Sequence, residues 1–301
     1  MPAPVVLILA LFGISFAGPL VRLSHAHPLT IAIWRLGFSL VVIGICLGIT
    51  GGWRQWKRLD RTGWSEALGA GAMLAVHFWT WNASIAFTTV AASVVLVNLQ
   101  PVIVAILSVV WLREPPTPRQ WVGIAIAMMG ALVVALPDFE QGGSGRNPVI
   151  GDLLAIAGAV TAAIYFVIGR RLRGTLDLWP YVSIVYGSCF VVLIGLAAVV
   201  RAPVLAQPPR EMAIFAALAL GPMLLGHTGL NWALRYLPAY VVNLTLLGEP
   251  VGATILAAAI PGIRELPTAM TVMGGALILS GIYVTARHAR PAPAIAGASG
   301  D

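Results

Sequence analysis

Gln100 stands directly before Pro101, and Glu249 directly before Pro250, each deep in an apolar run. A proline inside a helix removes a backbone hydrogen bond and frees a carbonyl, so Pro101 and Pro250 predict matching helix kinks. A charge at the centre of a membrane helix costs roughly 2.5–3.5 kcal/mol on insertion scales. Residues kept there either bond freed backbone or meet a polar solute, and both readings stay open for Gln100 and Glu249. His77 and Trp81 lie one turn apart on a common helix face, with Phe78 and Asn82 beside them. His227, Asn231 and Trp232 repeat the theme. Aromatic rings with a few polar groups suit an amphipathic organic solute; hydrogen-bonded helix packing is the alternative. Arg35 lies about six residues into its run, roughly 10 Å deep at the helical rise. It can meet a solute carboxylate, snorkel, or pair with a carbonyl. Tyr165, Tyr186 and Asn243 are weaker candidates, with structural roles as the alternative, and of these Tyr165 is counted among the solute ligands. A carboxyl in low dielectric can cycle a proton, so Glu249, assisted by His77 or His227, is the candidate for proton coupling.

Other chemistry finds little support. There is no H-E-x-x-H, P-loop or G-x-S-x-G pattern. The internal acids are too sparse for an intramembrane enzyme. Cys46 and Cys189 have neither metal-site spacing nor a disulfide framework. No catalytic residue, metal ligand or cofactor is expected.

The elements that must position these groups are long and apolar. The 301 residues are 59% hydrophobic and 10% charged, with mean hydropathy +0.90, where soluble chains carry about 25% charged residues. Ten apolar runs are each about long enough to cross a bilayer as a helix: 4–21, 29–49, 65–86, 90–111, 119–136, 151–169, 178–200, 212–234, 238–260 and 267–286. The ten-residue alternation of a membrane barrel is missing. The first run lacks a positive leader, so it is read as a span and not a signal peptide. Residues 137–150 read as a linker, with 141–150 as its core, and 287–301 as a disordered tail.

The net charge of +7 sits in short loops, where it sets topology at an anionic membrane surface and does not point to nucleic acid. Eleven Lys and Arg fall on the side that includes both termini and five on the other. That excess places the termini in the cytoplasm.

The second half also repeats the first. Asn82 to Pro101 has the same spacing as Asn231 to Pro250. Arg113-Glu114, Pro116-Thr117, Gly123 and Gly130 return as Arg264-Glu265, Pro267-Thr268, Gly274 and Gly281. Five spans per copy is an odd number, so the second copy runs inverted. The expected fold is an all-α integral membrane protein of ten transmembrane helices in two inverted five-helix repeats, 1–140 and 151–286, with a working site between them. Gly44-x-x-x-Gly48 and Gly248-x-x-x-Gly252 are spacings for close helix contact.

These doubled Arg-Glu and Gly motifs resemble the EamA-type family of the drug/metabolite transporter superfamily. Asn98-Leu99-Gln100-Pro101 and Gly248-Glu249-Pro250-Val251 are similar to its fourth- and ninth-helix signatures, Trp34-Arg35 after Pro28 to its second-helix start, and Gly151-Asp152 to its sixth. Tyr186 departs from the pattern, taking in the second half the place Arg35 holds in the first. The resemblance covers nearly the whole chain. It implies a bacterial inner-membrane exporter of amino acids, aromatic ones included, and of related metabolites by alternating access. Carriers of drugs or nucleotide sugars, a channel and a membrane scaffold are the alternatives. The expected partners are a small-molecule solute and membrane lipids, in a monomer or homodimer.

Overall fold

The computed structural model describes residues 2–141, 147–259 and 267–289. The Arg264-Glu265 copy, the centre of the linker and the end of the tail lie outside the described residues.

Ten long helical stretches follow one another. They are α1 (Ala3–Leu23), α2 (Pro28–Thr50), α3 (Arg61–Ile85), α4 (Ala92–Leu112), α5 (Pro118–Gln141), α6 (Pro148–Leu172), α7 (Leu178–Val200), α8 (Pro209–Ala233), α9 (Ala239–Leu256) and α10 (Ala269–Arg287). Among the described residues, nine helices are long and apolar enough to cross a membrane. α3 is not among them, because Glu66, His77, Trp79, Trp81 and Asn82 dilute its hydropathy. Its 25 residues still extend roughly 37 Å at the helical rise. α5 runs on to Gln141 and α6 starts at Pro148, so helix replaces most of the 137–150 segment read as linker.

Prolines set the internal breaks. A proline clashes with the carbonyl four residues upstream and offers it no N–H. The first helical segment of α1 stops at Ser15, four before Pro19. α4 is interrupted after Val97, four before Pro101, and resumes at Gln100. In α8 the α-helix stops at Leu218, four before Pro222, and a π-helix takes over from Ala219 to His227. In α9 a 3-10 turn, Thr245–Gly248, encloses Leu246, four before Pro250, and α-helix resumes at Glu249.

The chain forms two compact units, and each draws helices from both halves of the sequence. Unit one takes in residues 1–75 and 168–236. There α2 packs on α7, and α1 on the π-helical part of α8. A Cβ on Gly13 would lie 2.9 Å from the Gly221 carbonyl oxygen, and one on Gly226 would lie 2.5 Å from Ile14 Cγ1. Only glycine lets these backbones approach so closely. Ile31, Ile214, Phe215 and Leu218 form a core cluster against Trp34. At one end, Ser24 Oγ and the His25 N–H donate to the carboxylate of Glu211, in the first turn of α8, where the helix dipole favours an acid.

At the other end of unit one, Arg170 in the last turn of α6 and Arg173 just beyond it turn inward. Arg170 and Arg173 are only 2% and 1% exposed. Arg170 donates to the Leu234 carbonyl at 3.1 Å and Arg173 to that of Asn231 at 3.0 Å. The reading of these two as charges facing a membrane surface is thereby corrected. They satisfy the otherwise unbonded carbonyls that end a helix. Burial lowers the pKa of Arg173 to about 10, with Arg235 adding repulsion. Asp177 accepts from Gln55 Nε2 at 2.6 Å and pairs with Arg235. The Gln55 bond, then Arg235, hold its carboxyl below the usual carboxylate range.

Unit two takes in residues 76–167 and 237–291. Its backbone is the antiparallel pair α5 and α10. A Cβ on Gly130 would lie 2.6 Å from the Gly274 carbonyl oxygen, and one on Gly274 just as close to that of Gly130. Gly123 meets Gly281 in the same way. Since Gly274 and Gly281 are the repeat mates of Gly123 and Gly130, each contact is the other's image under exchange of the halves. Thr117 and Gln120 cap α5 reciprocally. Gln120 also donates to the Thr285 carbonyl on α10 and accepts from Tyr240 OH on α9. Gly44 and Gly48, by contrast, have nothing within contact distance of a Cβ, so that spacing makes no close helix contact here.

Gly130→Ala should destabilise the protein by about 1–3 kcal/mol, seen as a lower thermal midpoint in detergent, while Gly44→Ala leaves it unchanged. The stability that Asp177 contributes is present above its unfolded pKa and lost as pH falls through the depressed folded one. On acidification from about pH 5 to 3, the thermal midpoint of the wild type should therefore fall more steeply than that of Asp177→Asn.

Candidate functional site

Seven of the nine candidate solute ligands lie in unit two: His77, Phe78, Trp81, Asn82, Gln100, Tyr165 and Glu249. Arg35 and Asn231, with His227, lie in unit one.

In unit two, His77 Nδ1 lies 2.9 Å from the Gly158 carbonyl oxygen on α6. A carbonyl only accepts, so in this bond Nδ1 carries the proton and donates. The ring stacks on Trp81, with centroids 6.3 Å apart and planes within 5°. Phe78 is buried and edges the histidine, a packing role. Asn82 spends its Nδ2–H on the Phe78 carbonyl at 2.6 Å, one turn back on its own helix. Ser84 bonds Ser93, and Thr88 donates to Asp152 at 2.8 Å. These bonds tie the α3–α4 turn to α4 and α6. Gly151 permits the latter, since a Cβ there would lie 2.5 Å from Thr88.

Gln100 is 8% exposed and Glu249 half-buried. Each opens the α-helical segment that follows a break. The Gln100–Leu107 segment packs against Ala239–Leu244 of α9, which brings in Asn243. That residue is fully buried, and neither its Oδ1 nor its Nδ2 has a partner among the described residues. The indole N–H of Trp81 is buried without a partner as well. An unsatisfied buried amide or N–H costs about 1–3 kcal/mol, so both groups call for a ligand or water. Tyr165 is buried edge-on against Phe166 at 4.9 Å.

In unit one, Tyr186, Thr228 and Asn231 form a buried polar network. Tyr186 OH lies 3.2 Å from Thr228 Oγ1, and Asn231 Nδ2 donates to Tyr186 OH at 3.1 Å and to the His227 carbonyl at 2.9 Å. The Thr228 hydroxyl and N–H both donate to the Met223 carbonyl, closing the π-helix. Asn82 and Asn231 thus use their carboxamides alike, each bonding the carbonyl four residues back. Arg35 is half-buried on α2.

The sequence reading ranked Asn243 low and passed over Pro222. The signals were present: a carboxamide six residues before Glu249, where the first half has Val94, and a proline five residues before His227.

These side chains sit among helices long and apolar enough to cross a membrane, and comparison with known proteins bears on what kind of protein holds them. Residues 1–136 and 149–287 match the EamA-like transporter family. The chain belongs to that family. An uncharacterized transporter of Archaeoglobus fulgidus is 28% identical over 92% of this chain and 95% of its own length. The uncharacterized transporter YdfC of Bacillus subtilis is 24% identical over 93% and 88%. A protein of known crystal structure superposes with a TM-score of 0.78 at 19% identity, covering 96% of this chain and 97% of its own, so it shares the fold. The transporter is therefore a multi-pass membrane protein with a polar cluster set among apolar helices.

Asn231→Leu in this transporter removes two hydrogen bonds and leaves Tyr186 short of a donor. Stability should fall by about 1–3 kcal/mol, read as a lower midpoint in a detergent thermal shift.

Proposed function

We propose that this transporter exports amino acids, aromatic ones among them, and related small metabolites across a bacterial inner membrane by alternating access. In this reading ten spans form two inverted five-helix repeats with both termini in the cytoplasm. The reciprocal glycine contacts of α5 and α10 support the inverted relation, and the excess of Lys and Arg supports the orientation.

The observation that supports the solute reading is that the Trp81 indole N–H and the Asn243 carboxamide are two of the buried groups in unit two without a partner among the described residues, Ser108 Oγ being another. They offer donors and an acceptor inside apolar helices, where only a polar ligand or water can meet them. The His77–Trp81 stack adds a flat aromatic wall suited to a ring-bearing side chain. Gln100 and Glu249 supply further polar groups beside breaks where backbone carbonyls are freed.

Uptake of a panel of amino acids into proteoliposomes tests this. Trp81→Phe and Asn243→Val each delete a hydrogen-bonding group and keep an apolar side chain. Each should lower uptake roughly 5- to 150-fold for the solutes the wild type carries. Wild-type rates in both variants for every transported solute would rule the site out, and conductance that does not saturate with solute would indicate a channel.

A further inference from the structure

The end of unit one where Arg170 and Arg173 turn inward carries more positive charge than the protein itself bonds. Arg170 and Arg173 hold carbonyls of the α8 end. Arg235 pairs with Asp177, and Arg171 with Glu66 at 2.9 Å. The segment between α2 and α3 differs. Between positions 54 and 61 it holds Arg54, Lys57, Arg58 and Arg61, all exposed. None of these four has an ion pair or a side-chain hydrogen bond among the described residues. The acid in their midst, Asp60, accepts the Gly63 N–H at 2.7 Å and caps α3.

The segment is pinned to its neighbours. Gly52–Arg58 form a 3-10 helix. Gln55 Nε2 donates to Asp177 at 2.6 Å, and Gln55 Oε1 accepts from the Asp177 N–H at 2.9 Å. Trp56 Nε1 donates to the Pro180 carbonyl at 3.2 Å. These bonds turn Gln55 and Trp56 toward the start of α7. With three residues per turn, Arg54 and Lys57 share the remaining column, one turn or roughly 6 Å apart. Trp53 is 46% exposed, and the Arg54 guanidinium lies over its ring, 5.3 Å from the centroid. The place of this helix selects its partner. α2 qualifies as a membrane span and ends at Thr50, two residues before the 3-10 helix begins. An exposed tryptophan there has the character of an interfacial anchor, and the cations beside it lie at headgroup level. Clustered Lys and Arg next to a span attract anionic lipid.

We propose that the 3-10 helix between α2 and α3 binds the headgroup of an anionic phospholipid, with the phosphate between Arg54 and Lys57 and Trp53 in the interface beside it. Arg54 offers two parallel N–H donors to the phosphate, and Lys57 a point charge. Arg58 and Arg61 extend the positive field to the start of α3. Because Gln55 and Trp56 join this helix to α7, the bound lipid braces the packed pair α2 and α7. Such a site is independent of which solute the protein carries.

Native mass spectrometry of the full chain tests it, with detergent supplemented by phosphatidylglycerol or by phosphatidylcholine. The wild type should retain phosphatidylglycerol in preference to phosphatidylcholine. Arg54→Gln and Lys57→Gln should each lower retention of phosphatidylglycerol roughly fivefold and leave phosphatidylcholine unchanged. Arg201→Gln is the control. It removes the same charge from an exposed position at the far end of α7, and retention should hold. A second reading uses Lys57, the only lysine in the chain. Its acetylation by an uncharged reagent should be slower in vesicles of phosphatidylglycerol than in vesicles of phosphatidylcholine. Equal retention of the two lipids by the wild type, equal losses in Arg54→Gln and Arg201→Gln, or equal acetylation rates in the two vesicles overturns the proposal. So does displacement of phosphatidylglycerol by millimolar inorganic phosphate, which would make a soluble anion the occupant.

Discussion

A helix in hydrocarbon must satisfy its backbone polar groups from within, because no water is available. Prolines at 19, 101, 222 and 250 violate that rule in four spans, and the fold answers each one locally. The α-helix stops four residues upstream of Pro19, Pro101 and Pro222 and six upstream of Pro250, and restarts after a turn, a π segment or a 3-10 segment. Polar side chains gather at these places. Gln100 and Glu249 open the restarted segments of α4 and α9, and Thr228 closes the π segment of α8. The irregular backbone and the candidate solute ligands are thus consequences of the same constraint.

Between helices the limiting factor is distance of approach. Lipid tails are as apolar as leucine, so burial alone gives little reason for spans to associate. Both units rely on glycines where a methyl group would collide with a neighbouring backbone, at Gly13 and Gly226 in one and Gly130 and Gly274 in the other. The ends of the spans are tied by polar bonds: Glu211 with Ser24 and His25, the buried Arg170 and Arg173 on carbonyls of the α8 end, and Gln120 with Tyr240 and Thr285. Each bond uses a side chain near the end of a span, where the desolvation it costs is smallest.

Much of the helical architecture was legible in the sequence because it depends on local quantities. Run length and hydropathy mark spans, and proline positions mark breaks. α3, read from the run 65–86, rests on length more than on hydropathy. Its polar and aromatic residues lower its hydropathy, although it forms a 25-residue helix. The segment after Leu136 shows the limit of that reading, since acids and a proline resembled a linker while the helix continues to Gln141. Gly44-x-x-x-Gly48 shows another, because spacing alone does not say whether another helix faces that side.

The candidate site divides along the same line. Which residues lie at mid-span depth follows from position along an apolar run, and the sequence alone places His77, Trp81, Gln100 and Glu249 there. Which polar groups remain available to a ligand does not follow from position. Asn231 spends its carboxamide on Tyr186 and His227, and Asn82 on Phe78, while Asn243 and the Trp81 indole are left without partners. The sequence determined the helices, their breaks and the family. Only the tertiary structure decided which polar groups are consumed, because a hydrogen-bond partner dozens of residues away is fixed by helix packing.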